Sequence, residues 1–101
     1  MGKRSTVEMG IKGGERVQET EVAGVDLGDR TSHVSVLGSD GTIGEEGRIP
    51  TTRTGMTRWF QGRPRMRVVM EVGTHSPWVS RLVSELGHEV LVANPRRLRW
   101  I

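Results

Sequence analysis

The chain has no cysteine, which excludes a disulfide framework and a thiolate zinc site and fits a reducing, cytoplasmic compartment. No apolar run approaches the length of a membrane span, and no hydrophobic stretch follows the basic N-terminal residues. Neither a transmembrane segment nor a secretory signal is therefore expected. Internal repeats and low-complexity tracts are also missing. From residue 53 onward lysine is absent as well, and every basic side chain is arginine.

What remains is small. At 101 residues, with 34% hydrophobic residues and 14 glycines, the chain holds one domain with a modest core. The net charge of +3 is unevenly spread. Residues 1–52 carry six Lys/Arg against nine Asp/Glu, a balance of −3, whereas residues 53–101 carry nine Arg against three Glu, a balance of +6. A solvated surface is the plain explanation. The sharper one is a polyanionic partner, since arginine suits bidentate phosphate contacts.

Residues 1–20 show neither a helical nor a strand period and are expected to be a flexible leader ahead of a domain spanning 21–101. The stretch Val22 to Gly41, VAGVDLGDRTSHVSVLGSDG, organises the rest of the chain. It predicts a strand over Val22 to Leu27, a tight reversal at Gly28-Asp29-Arg30, and an alternating strand over Thr31 to Leu37. Ser39-Asp40-Gly41 then supplies a hairpin turn. Thr42 to Ile49, with glycines and glutamates inside it, suits an exposed edge strand ended by Pro50. Thr51 or Thr52 is placed to cap a helix with Met56, Trp59 and Phe60 on one face, weakened by Gly55 and ended by Gly62.

Met66 to Val72, apolar on both faces, predicts a central strand. Ser76-Pro77 opens a second helix with Ser76 as its cap, and Trp78, Val79, Leu82, Val83 and Leu86 form its buried stripe. His88 to Ala93 is the last strand. Hairpins make the first three strands antiparallel, and the helical crossover makes the last two parallel. With the third strand at an edge, the fourth pairs with the first, giving the order 3-2-1-4-5.

That topology sets two acids on neighbouring strands. Asp26 lies within the apolar run of the first strand, and Glu71 lies in Arg67-Val68-Val69-Met70-Glu71-Val72. A lone carboxylate in an apolar strand is costly to bury unless its charge is offset. Two together in a dry site call for a cation, of which Mg2+ is the natural one, and such a site serves phosphodiester chemistry. The competing explanation is that each acid caps a loop amide or pairs with an arginine. His33, His75 and His88 lack metal-ligand spacing and are expected to be structural or exposed. Trp59 and Trp78 sit at core spacing, and Trp100 is expected to dock the tail, with stacking on a base as the alternative.

Three ordered segments, VAGVDLGDRTSHVSVLGSDG, MEVGTHSPWVSRLVSELGHEV and LVANPRRLRWI, together resemble the N-terminal domain of the DEDD transposases of bacterial insertion sequences, the insertion-sequence 110 family. The resemblance runs from about Glu21 to Ile101. It implies an α/β, RNase H-like (RuvC-like) fold, with the family's first-strand aspartate at Asp26 and its glutamate at Glu71. Gly73-Thr74 and the helix carrying Trp78 also fit the pattern. It further implies divalent metal at those two acids and DNA strand cleavage and exchange. DNA is the implied partner, contacted by Arg96, Arg97 and Arg99, with a guide RNA and self-association in the full-length family.

The family's D-x-x-D motif and its serine domain do not follow in this sequence. The expectation is therefore a truncated fragment, missing the last part of the fold, that binds Mg2+ weakly and lacks transposase activity alone. A second resemblance comes from Val25-Asp26-Leu27-Gly28 with Thr31-Ser32, which looks like the first phosphate loop of actin-like ATPases and sugar kinases. It implies contacts to nucleotide phosphates. A third reading is a non-catalytic nucleic-acid-binding module, in which the arginines hold phosphates and Asp26 has no role.

Overall fold

A computed structural model of the chain describes residues 20–94. The expected leader over 1–20 (residue 20 apart) and the candidate DNA contacts Arg96, Arg97 and Arg99 lie outside the described residues, as does Trp100.

Five strands and two helices follow in order: β1 (Val22–Leu27), β2 (Thr31–Leu37), β3 (Ile43–Pro50), α1 (Arg53–Phe60), β4 (Arg67–Glu71), α2 (Ser76–Glu85) and β5 (Glu89–Ala93). They form one mixed α/β sheet of order β3-β2-β1-β4-β5, as the connections predict. β1 pairs antiparallel with β2 and parallel with β4; β2 pairs antiparallel with β3, and β4 pairs parallel with β5.

Local chemistry accounts for the turns. Between β2 and β3 the Asp40 carboxylate accepts from the Thr42 amide at 3.1 Å and the Thr42 hydroxyl at 2.8 Å, and Gly41 takes a φ of 86°. Those two bonds, the amide first, hold the Asp40 carboxyl below its usual range. At the start of α1 the Thr52 hydroxyl accepts from the Gly55 amide at 3.0 Å, so Thr52 is the cap. Thr51 is buried instead and meets the Ser32 hydroxyl at 2.6 Å. Gly62, with a φ of 77°, ends that helix region as expected.

Two local expectations are corrected, at Ser76 and Gly55, and one is met at His88, which is structural. Ser76 does not cap α2: its hydroxyl accepts from the Gly73 amide and donates to the Gly73 carbonyl, so it closes the preceding loop, and His75 holds the cap position. Gly55 is no mere weakness, because a Cβ there would stand 2.4 Å from the Pro50 carbonyl oxygen. The helix needs glycine to pass so close to the end of β3. His88 is buried and fully bonded: its Nδ1 accepts from the Met66 amide at 3.2 Å and its Nε2 donates to the Phe60 carbonyl at 2.8 Å.

Both helices pack on one face of the sheet. Ala23 and Val25 from β1, Val34 and Val36 from β2, and Val68 and Met70 from β4 meet Met56 and Phe60 of α1 and Val79, Leu82 and Val83 of α2. Trp59 and Trp78 are half-buried at the border of this core rather than inside it. Alternation sends the intervening residues to the opposite face, where no helix among the described residues lies. β4 is a central strand as expected, between β1 and β5, although Val69 on its helix-free face is only half-buried. The expectation for Asp26 and Glu71 is corrected: both are exposed, and neither bears the burial cost expected of an acid in an apolar strand.

Candidate functional site

The helix-free face is defined by strand parity. Val25 pairs with Met70 across β1 and β4, and both side chains point into the core. The next residue of each strand, Asp26 and Glu71, therefore turns to the open face at the same level of two parallel neighbours, whose backbones lie about 4.8 Å apart. The two acids do come together in the sheet. Both line a cavity of about 640 Å³ at the C-terminal ends of β1 and β4. Its floor includes Gly24, where an added Cβ would meet nothing within 4 Å, and Val69 of the neighbouring strand.

The same level continues into β2 and β3. Asp26 pairs with His33, and His33 pairs with Arg48. Residues paired across strands share a face, so Arg48, His33, Asp26 and Glu71 form one row over four strands. His33 Nε2 lies 3.0 Å from a Glu46 carboxylate oxygen, which fixes the ring. At the far rim, Trp78 donates its indole N–H to His75 Nδ1 at 3.1 Å. His75 Nε2 then reaches Asp29 at 3.2 Å, tying the β1–β2 turn to the start of α2. His33 and His75 hold the walls of the cavity, a placement that their isolated positions in the sequence did not signal.

Among the described residues no group of three His, Cys, Asp or Glu side chains converges on a single ion position. Asp26 and Glu71 alone would hold a cation, leaving most of its coordination sphere to water and ligand oxygens. Hard oxygen donors of this kind suit Mg2+. The residues present fit such an ion as a loosely held one.

The hairpin reading fares differently residue by residue. Thr31 is exposed beside Asp26 in a second cavity of about 290 Å³. The Ser32 hydroxyl, however, is buried and committed to Thr51. Gly28 is required by the turn itself, since a Cβ would lie 2.4 Å from the Thr31 carbonyl oxygen.

No helix among the described residues is long and apolar enough to cross a membrane. No protein-family model and no curated protein matches the chain. Among solved structures it is similar to an inorganic polyphosphate/ATP-glucomannokinase from Arthrobacter sp. strain KM, at 19% identity and a TM-score of 0.48, over 75% of this chain and 44% of that one. It is also similar to the Ppx/GppA phosphatase of Aquifex aeolicus, at 15% identity and a TM-score of 0.40, over 76% of this chain and 36% of that one. The chain thus spans less than half the length of either protein, and neither is a transposase.

Proposed function

We propose that the open face binds a divalent cation between Asp26 and Glu71 and serves chemistry on a phosphate ester. The observation that carries this reading is the register, which sets two exposed carboxylates side by side at the ends of parallel strands. Like charges at adjacent positions repel, and a shared cation reverses the sign of that interaction. Mg2+ held by two carboxylates keeps open positions for phosphate oxygens and water. When bound, it activates a nucleophile and steadies a leaving oxygen.

For the ester itself, the three-segment resemblance names DNA. On that reading the chain is the N-terminal, RuvC-like part of a DEDD-type transposase acting in DNA transposition, with a guide RNA and further copies as partners. Asp26 and Glu71 supply two of the acids, and the arginine-rich second half supplies attraction for the polyanion.

A second reading takes the β1–β2 hairpin as a nucleotide-phosphate contact. It is supported by Thr31 and Asp26 sharing a cavity. The glucomannokinase, named for polyphosphate and ATP, falls on this side.

Manganese titration followed by NMR tests the shared site. Paramagnetic broadening confined to the amides around Asp26 and Glu71, and lost in Asp26→Asn, is the expected result. Broadening centred on Glu45 and Glu46, or none at millimolar metal, overturns it. Salt-dependent DNA binding without thermal stabilisation by ATP favours the transposase reading, and the reverse pattern favours the nucleotide one.

A further inference from the structure

The row across the open face is polarised. Its β1–β4 half is anionic, Asp26 with Glu71, while its β3 end carries Arg48. Arg48 is exposed and makes no ion pair among the described residues, although two glutamates, Glu45 and Glu46, stand on the same strand. Those glutamates are already engaged. Glu45 accepts from the two terminal nitrogens of Arg63 at 2.9 Å, and Glu46 holds His33 at 3.0 Å. Arg48 is thereby left without an internal anion. It also lines the smaller cavity together with Asp26, His33, Thr31 and Gly28.

We infer that Arg48 is the anchor of a phosphate subsite lying between itself and the Asp26–Glu71 pair, over His33. Two strand spacings, about 9–10 Å, separate the Arg48 and Asp26 backbones. A guanidinium reaching inward from one side and a cation on the carboxylates from the other bracket a single phosphate group, or two successive phosphates of one ligand. Arginine's planar fork suits such an oxyanion, and its charge does not depend on pH in the working range. The Thr31 hydroxyl offers one further donor on the same wall. Glu46 matters because it holds the His33 ring in place, and because pairing with Arg48 instead would quench the subsite.

This subsite deepens the proposed cation-and-phosphate site and rests on it only for the second half of the bracket. The ligand chemistry is a phosphate oxyanion, and its source is either a nucleic-acid backbone or a nucleoside triphosphate. The test uses fluorescence anisotropy with a short fluorescein-labelled oligothymidylate and, separately, calorimetry with ATP. Each is run in EDTA and in millimolar Mg2+, on the full chain and on Arg48→Ala, Arg48→Gln and Asp26→Asn. Circular dichroism confirms that each variant folds.

The expected result is a loss of about tenfold in affinity for one of the two ligands in both Arg48 variants, with or without Mg2+. Asp26→Asn should remove only the gain given by Mg2+. Equal affinity in wild type and both Arg48 variants overturns the subsite, even where the Mg2+ effect persists. A loss in the Arg48 variants with no Mg2+ effect in any chain upholds the subsite and overturns the metal half. Failure of wild type to bind either ligand overturns both.

Discussion

Asp26 and Glu71 follow Val25 and Met70, the last pair that joins β1 to β4, and so stand next to each other on the open face of two parallel strands. Between two exposed like charges at this spacing, the metal-free protein carries a small repulsion. Asp26→Asn should therefore raise the melting temperature in EDTA, by a gain of about 0.2–1 kcal/mol, and abolish any rise that Mg2+ gives the wild type. A scan in which the variant is no more stable in EDTA and responds equally to Mg2+ would sink the paired-acid site.

The close pass of α1 over the end of β3 makes an unusual demand on Gly55. Replacing glycine by alanine inside a helix normally stabilises by about 1 kcal/mol. Here the new methyl would meet the Pro50 carbonyl oxygen at 2.4 Å. Gly55→Ala should destabilise the fold by about 1–3 kcal/mol, read from the urea midpoint. A variant more stable than wild type would show that the backbone yields easily at this contact.

His88 satisfies two buried backbone groups from opposite ends of the α1–β4 connection, the Phe60 carbonyl and the Met66 amide. His88→Leu keeps the volume and strands both groups. A loss of about 2–4 kcal/mol follows from leaving them unpaired. Denaturant unfolding checks it, and a loss below that of an ordinary surface substitution would mean that water replaces the imidazole.

Arg63 stacks over Trp59, with its guanidinium carbon 3.6 Å from the ring centroid, and grips Glu45 with two nitrogens. That grip holds the Glu45 carboxyl below its ordinary 4.5. A depressed carboxylate favours folding above its unfolded value and loses that contribution as pH falls through its folded one. The stabilisation is therefore full above about pH 4.5 and fades in more acidic solution. Glu45→Gln should be less stable than wild type at neutral pH and converge with it in acid. Parallel stability curves at all pH values would remove Glu45 from the acid response.

Strand order was legible because short turns at Gly28-Asp29-Arg30 and Ser39-Asp40-Gly41 force hairpins, and a helix between β4 and β5 forces a parallel pair. The adjacency of Asp26 and Glu71 followed from that order alone. What escaped was contact made across the chain. Val69 lies in a run with apolar residues on both faces, yet no described helix reaches its side. Gly55 reads as a weakness in the helix, and only the nearness of Pro50 explains it. The row linking Arg48 and His33 to Asp26 depends on two strand registers at once, which neither local propensity nor spacing encodes.

Alternation along β1 divides labour between successive residues. Ala23 and Val25 answer to packing, whereas Gly24 and Asp26 answer to whatever lies in the cavity, and neither pair constrains the other. Substitutions at Gly24 and Asp26 can thus change the lining of the cavity while Ala23 and Val25 keep the scaffold intact. One frame of this kind can carry different cavity linings without being refolded.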